Sequence, residues 1–306
     1  MLTVLLATRN GARTLPSMLN AFCLLKSPPS GWKLVVVDNG SSDQTREVVN
    51  SFQNRLPLTY LFEGKPGKNA ALNAGLAILE GDLAVFTDDD VFPNPEWLVR
   101  LRAAADAQPS YLIFGGVILP RWEAPPPAWL EWVSKGPVFT LTDPLLMAGP
   151  TSPSNIFGPN MAIRAEVFAS GIRFNPLIGP RGTEYAMGSE TELVRRLVGE
   201  GYLAWHVQDA VVEHFIRDFQ LTRAWVLRRA IRFGRGQYRM SQTERPKTLV
   251  SWFGIPRYLF RRLLTEILVI ARACVFLNGE ALFQARWNLN YLRGQIMEAR
   301  VLRSER

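Results

Sequence analysis

The chain has 306 residues, 47% of them hydrophobic, enough to bury one large α/β domain or somewhat more, which excludes a disordered chain. Its formal charge of +8 is unevenly placed: residues 1–216 hold 17 Lys and Arg against 21 Asp and Glu, whereas 217–306 hold 18 against 6. The basic character belongs to the C-terminal third and predicts an anionic partner there, membrane phospholipid or nucleic acid.

The N-terminal run from Met1 to Thr8 is apolar but lacks a basic leader and passes directly into Arg9-Asn10, so it reads as a first strand rather than a secretory signal. Short apolar runs then alternate with amphipathic stretches: strand 3–7, helix 14–25, strand 33–37, helix 45–52, strand 58–62, helix 70–79 and strand 83–86. Runs such as Leu34 to Val37 and Leu83 to Phe86 suit strands buried on both faces. Right-handed crossovers between them make a doubly wound half-domain whose ligand lies beyond the carboxyl ends of the strands. Four strand ends then meet on one rim: Thr8-Arg9-Asn10, Asp38 to Asp43, Glu63-Gly64-Lys65 and Thr87 to Asp90.

Residues 92–160 are rich in Pro and Trp, with 122–127 as the clearest loop. Helix and strand return over 161–214, where 191–200 reads as a helix stopped by Gly201. Beyond 215 the sequence is mostly helical and Arg-rich. Its most apolar window, 263–277, is interrupted by Glu266 and Arg272 and falls short of the ~18 apolar residues of a membrane span. Cys23 and Cys274 are far apart in apolar surroundings and read as free, buried thiols, which fits a reducing, cytoplasmic location.

Three consecutive carboxylates at the end of an apolar strand repel one another unless a cation neutralises them, so Asp88-Asp89-Asp90 reads either as a site for Mg²⁺ or Mn²⁺ or as a solvated acidic loop. Asp38 follows a buried strand beside a Gly-Ser turn and can accept from a base N–H or a ribose hydroxyl. Lys65, Lys68 and Asn69 open a small-residue helix, a diphosphate site in kind, or else Gly67 is a simple turn and the lysines are solvated.

Taken together, Ala7-Thr8-Arg9-Asn10, Val37-Asp38-Asn39-Gly40-Ser41, Lys68-Asn69-Ala70-Ala71-Leu72-Asn73-Ala74-Gly75 and Thr87-Asp88-Asp89-Asp90 resemble glycosyltransferase family 2, with order and spacing matching over residues 1–215. The resemblance implies a GT-A type doubly wound mixed sheet flanked by helices, followed by a helical, basic C-terminal extension. It implies transfer of a sugar from a nucleotide-diphosphate donor to a glycan or lipid-linked acceptor, with inversion, using Mn²⁺ or Mg²⁺. Thr8 and Asp38 would contact the nucleoside, Asp38 taking a uracil imide proton if the donor is a UDP-sugar; Asp88 would face the ribose and Asp90 would bind the metal. The donor-side set is then Thr8, Arg9, Asn10, Asp38, Lys65, Lys68, Asn69, Asp88 and Asp89.

Ser189-Glu190 stands where the family has a Glu-Asp pair, so Glu190 is the implied catalytic base. The alternative is a helix cap, with Ser189 as N-cap and Glu192 as its partner. His214 resembles the family histidine that joins the metal site, while His206 reads as structural. Asn160 lies in the segment that resembles the acceptor side. Trp122, with Trp129 and Trp132, would stack on sugar or lipid, or would cover a core.

The expected domains are 1–216, with a nucleotide-binding half (1–91) and an acceptor half (92–216), and a helical extension over 217–306 in peripheral contact with the inner face of the membrane. The amphipathic segment 255–277 carries Arg257, Arg261, Arg262 and Arg272 and would lie in a bilayer interface or pack in a bundle. Two rival functions fit the sequence less well. A sugar-phosphate nucleotidyltransferase needs a Gly-rich loop after the first strand, and Thr8 to Arg13 is too poor in glycine. A nucleic-acid-binding protein fits the basic tail but not the acidic, motif-bearing half, so no nucleic-acid partner is expected.

Overall fold

A computed structural model of the chain describes residues 1–182, 185–242, 251–252 and 255–304. The chain divides into two compact units, one of residues 1–121, 140–176 and 189–215, the other of 122–139, 177–188 and 216–306. The division therefore differs from a single cut at 216, because two internal segments group with the C-terminal helices.

The first unit is built on a mixed sheet whose strands, in chain order, are β1 (Leu2–Thr8), β2 (Trp32–Asp38), β3 (Leu58–Phe62), β4 (Leu83–Thr87), β5 (Val91–Pro93), β6 (Ile113–Trp122), β7 (Gly149–Pro150), β8 (Met161–Arg164) and β9 (Ala204–Ile216). The spatial order is β3-β2-β1-β4-β8-β6-β9-β5, with β7 paired to β9. β1 pairs in parallel with both β2 and β4, and β8 runs antiparallel to β4. The winding reverses between β1 and β4, which places a crevice at their carboxyl ends. The sequence explains the layout: Leu2, Val4, Leu5 and Leu6 of β1 and Leu34 to Val37 of β2 are fully buried, as central parallel strands require. β3, at the edge, leaves Phe62 59% exposed.

The helices are α1 (Leu15–Phe22), α2 (Thr45–Asn50), α3 (Lys68–Leu76), α4 (Trp97–Ala107), α5 (Lys135–Phe139, in the second unit), α6 (Ala165–Ala169), α7 (Ser189–Gly199), α8 (Arg223–Ser241), α9 (Arg257–Val275) and α10 (Gly279–Ser304). α3 carries Ala70, Ala71, Leu72 and Gly75 buried, and these small side chains let it lie close on the sheet. One core gathers Leu5, Val35, Val37 and Phe86 of the sheet with Ala71 and Leu72 of α3 and Leu193, Val194 and Leu197 of α7. Phe174 meets the Phe86 ring edge-on at 5.3 Å. α3 and α7, distant in sequence, are thus anchored on the same hydrophobic cluster.

The Pro- and Trp-rich middle is more ordered than its composition indicates. It contains α4, whose Trp97 is fully buried edge-on to Phe22 of α1 at 5.9 Å, and the ten-residue strand β6.

In the second unit α8 and α10 cross at two glycines. A Cβ on Gly234 would come 2.0 Å from the Tyr291 carbonyl oxygen, and one on Gly294 2.0 Å from that of Ile231, so only glycine permits this approach. Glu298, fully buried in α10, accepts from Arg235 Nε at 2.8 Å and is paired also with Arg239. Among the described residues no helix is long and apolar enough to cross a membrane. Both cysteines are unpaired, but neither is fully buried: Cys23 is half-buried and Cys274, on α9, is exposed.

Candidate active site

The rim at the β1–β4 crevice is assembled from side chains separated by up to 206 positions, from Thr8 to His214, and four connections define it. Thr8, the last residue of β1, is in register with Asp38, the last of β2. Its Oγ1 donates to Asp89 Oδ2 at 2.6 Å, closing the crevice floor. Asp38 is 3% exposed; its Oδ1 accepts from the Ser41 N–H at 2.8 Å and its Oδ2 from the Tyr60 hydroxyl at 2.9 Å. A nucleoside contact at Asp38 must therefore use the lone pairs these two donors leave. Tyr60 was missed by sequence reasoning, since an edge-strand tyrosine carries no motif. Burial, then the hydrogen bond to Asp38, pushes its hydroxyl up to about 12.

Lys68 opens α3 after Gly67, whose φ of 124° favours glycine. The lysine ammonium lies 2.5 Å from Asp88 Oδ1 and 2.6 Å from Glu190 Oε1. Burial would depress the ammonium, but the charges of Asp88 and Glu190 outweigh it and raise its pKa. Burial pushes the Asp88 carboxyl upward; Lys68 pulls the other way, but Glu190 and Asp90 add to the burial effect and the net shift is up. Glu190 occupies the first turn of α7 with its side chain 16% exposed. A Cβ on Gly158 would fall 2.5 Å from the Glu190 carboxylate, so Gly158 makes the space in which this acid sits. Nothing in sequence marked Gly158 for that role.

Asp90 and His214 meet through sheet pairing. β5 starts at Val91, directly after Asp90, and Val91 is in register with His214 of β9. The result is His214 Nε2 at 3.5 Å from Asp90 Oδ1, both largely buried. Burial and then the charge of Asp90 push Asp89 up to about 7.

The acidic triplet does not act as one ligand set. Asp88 is engaged by Lys68 and Asp89 by Thr8, and among the described residues no group of three or more His, Cys, Asp or Glu side chains is gathered for an ion. Asp90 and His214 lie side by side at the rim, 3.5 Å apart. A hard divalent ion commonly takes one or two protein ligands and completes its shell with water and substrate phosphates. Buried acids whose own pKa values are pushed upward also gain from a further cation nearby. The residues present therefore fit a metal shared with a bound diphosphate and do not fit an all-protein cage.

Several expected contacts prove to be structural. Asn69 is 2% exposed and donates to the Asn175 carbonyl at 2.7 Å, fastening α3 to the 170–176 loop, which removes it from direct donor contact. Asn160, expected on the acceptor side, is fully buried; Oδ1 accepts from Trp97 Nε1 at 2.8 Å and Nδ2 donates to the carbonyls of Val117 and Ala210. Asn10 has φ 55° and ties two rim loops together, its N–H donating to Ser41 Oγ and its Oδ1 accepting from the Ser42 N–H, both at 2.8 Å. Arg9 is exposed on the first of these loops and Lys65 on the loop between β3 and α3. Ser189 already lies inside the helix and its buried hydroxyl has no hydrogen-bond partner among the described residues, while Glu192 pairs with Arg196 at 3.1 Å, so neither takes the part of a capping box. His206 is 1% exposed in β9, and burial lowers its pKa, as a structural imidazole requires.

Trp122 belongs to the second unit and packs edge-on against Phe139 at 5.8 Å. Trp129 and Trp132 lie 5.3 and 6.3 Å from the Phe283 ring of α10 and share the Arg223 guanidinium at 5.6 and 5.4 Å. Trp129 and Trp132 fasten the 122–139 segment to α8 and α10, whereas Trp122 packs within the segment, on the Phe139 ring that stacks against Trp225 of α8 at 5.9 Å.

Comparison with known proteins agrees with this geometry. The family model "Glycosyl transferase family 2" matches residues 3–170. Glycosyltransferase AglE of Haloferax volcanii is 26% identical over 246 residues, covering 79% of this chain and 75% of the relative. Validoxylamine A glucosyltransferase of Streptomyces hygroscopicus subsp. limoneus is 30% identical over 118 residues, 38% of this chain and only 26% of the relative. Among solved structures, a mannosyltransferase from Pyrobaculum calidifontis in complex with GDP-Man and Mn²⁺ superposes with a TM-score of 0.65 at 18% identity, covering 97% of this chain and 86% of the other. Staphylococcus aureus TarS 1-349 does so with a TM-score of 0.55 at 16% identity, covering 100% of this chain and 92% of the other. At these identities the structural likeness shows the fold, which is of the GT-A type.

Proposed function

Matched by the family model over more than half its length, the chain belongs to glycosyl transferase family 2, and from that premise we propose that it transfers a sugar from a nucleoside-diphosphate sugar to a hydroxyl of a glycan or lipid-linked acceptor, with inversion. One observation carries the assignment of roles: a single buried ammonium, Lys68, bridges Asp88 on the donor side and Glu190 on the opposite wall.

In the proposed reaction Glu190 accepts the proton of the acceptor hydroxyl as that oxygen attacks the anomeric carbon. The bond from that carbon to the diphosphate oxygen breaks on the opposite face, and the nucleoside diphosphate leaves with the electron pair. A single in-line displacement inverts the centre. Lys68 sits at the N-terminus of α3, where its charge and the helix dipole favour the departing diphosphate. Thr8 and Asp38 hold the nucleoside end, with Arg9, Asn10 and Lys65 on the loops around it. Asp90 and His214 would hold Mn²⁺ or Mg²⁺, which when bound neutralises diphosphate charge.

Among the similar structures TarS is solved with UDP and UDP-GlcNAc and the mannosyltransferase with GDP-Man, and we favour uracil because a carboxylate at Asp38 suits its imide N–H. The basic segment 217–306 would bring the enzyme to the membrane face that carries a lipid-linked acceptor; a relative of Salmonella paratyphi A, 29% identical over 110 residues, is named an undecaprenyl-phosphate 4-deoxy-4-formamido-L-arabinose transferase. A thermal-shift panel of UDP, GDP and their sugars, with and without Mn²⁺, tests the donor class. A ligand at 100 times its Kd adds about 2.7 kcal/mol to stability. Metal-dependent stabilisation by one base is expected; none with any nucleotide would overturn the proposal.

A further inference from the structure

Resting on the reading that residues 217–306 work against a membrane, we propose that the outward face of α9 is the seat, docking flat on a bilayer that displays anionic phospholipid headgroups. Leu259 and Ala273 of this helix are buried, and Glu266 lies against α10, where Asn288 Nδ2 is 3.3 Å from both of its oxygens. The opposite side is apolar and open to solvent: Leu264 is 63% exposed, Ile267 49%, Leu268 70% and Val275 76%, and the stripe runs on through Phe276 and Leu277.

At about 100° of rotation per residue, Leu264, Leu268 and Val275 fall on one line with Arg257 at its N-terminal end, and Arg261 and Arg272 fall along its flank. All three arginines are exposed, and Glu266, turned away, is the sole acid in the helix. Apolar side chains held in water beside a row of cations match the boundary of a bilayer. The stripe enters the acyl edge, and the arginine stems follow it while their guanidinium groups reach the phosphates. α9 is not apolar enough to cross, so a lying orientation is the one its composition permits. A second copy of the chain fits less well, because a two-fold contact through the stripe would bring like-charged arginine rows together.

The test is sedimentation of the full chain with vesicles of phosphatidylcholine alone and with about one third phosphatidylglycerol added. Binding to the anionic vesicles, falling with salt, is expected. Replacing Arg257, Arg261 and Arg272 by Gln should cut it roughly ten- to a hundred-fold, since each cation near such a surface is worth about five-fold. Leu268→Glu, on an exposed position, should abolish binding while leaving the melting temperature unchanged. A fluorophore on Cys274, with Cys23→Ser, should shift to the blue only with anionic vesicles. Equal binding to both vesicle types, no binding at low salt, parent-like binding by both variants, or a dimer that Leu268→Glu disperses would each overturn the proposal. Nucleotide binding, measured separately by thermal shift, does not depend on the outcome and tells failure of this surface from failure of the transferase assignment.

Discussion

At the scale of single residues, the site turns on one ammonium shared between two walls and one glycine that leaves room for an acid. Glu190→Gln keeps shape but cannot accept a proton, so transfer should fall ~10²–10⁴-fold while donor affinity stays near the parent's; losing one charge of the buried pair with Lys68 should also lower the melting temperature, with Asp88 still pairing the ammonium. Glu192→Gln, which loses only an i,i+4 pair with Arg196, should retain most turnover and serves as the control. Steady-state rates at saturating donor and acceptor decide between them; a dead Glu192→Gln would mean the base is misassigned. Gly158→Ala would place a methyl group 2.5 Å from the Glu190 carboxylate and must push it away from Lys68. The expected signature is a loss of kcat of at least ~10-fold with donor Kd preserved, because misplacing a reacting group costs rate more than affinity. If calorimetry shows donor affinity falling as much as kcat, Gly158 supports the donor side instead.

Between elements, the decisive contact is the pairing of β5 with β9, which sets His214 beside Asp90 although 124 positions separate them. Asp90→Ala should remove the Mn²⁺ dependence of nucleoside-diphosphate binding without unfolding the chain, since Asp90 is a rim residue rather than part of the core. Titration calorimetry of UDP with and without Mn²⁺ in parent and variant checks this; unchanged metal-dependent affinity would place the ion elsewhere. α3 illustrates how such a rim is held rigid. Asn73 Nδ2 donates to the Phe174 carbonyl at 2.9 Å and its Oδ1 accepts from the Phe174 N–H at 2.9 Å, so the helix that presents Lys68 is clasped to the loop leading toward α7.

For the molecule as a whole, two units with separate cores share one chain, and the second depends on a helix crossing that only glycine allows. Gly294→Val would drive its Cβ to 2.0 Å from the Ile231 carbonyl oxygen, a backbone atom that has no rotamer by which to yield. A loss of about 1–3 kcal/mol or more is expected, read as a lower urea midpoint or a lost transition in calorimetry. Stability within ~0.5 kcal/mol of the parent would show that the helices can separate without cost.

The sequence by itself determined the fold class and the rim. Leu34 to Val37 and Leu83 to Phe86 are apolar without alternation, which dictates strands covered on both faces, and such strands put their polar ends, Asp38 and Asp88 to Asp90, on one edge. It also located the basic face of the C-terminal third, because charge counts need no coordinates. Tertiary structure alone decided which acids hold what. Asp88, Asp89 and Asp90 look alike in sequence, yet one meets Lys68, one Thr8 and one His214, because the partners arrive from α3, β1 and β9. Asn69 and Asn160 fit a donor or acceptor motif as residue types but are sealed inside, since an amide binds a backbone carbonyl as readily as a sugar hydroxyl. Local pattern reports periodicity and chemistry; which long-range partner satisfies each buried polar group is fixed only when the chain closes on itself.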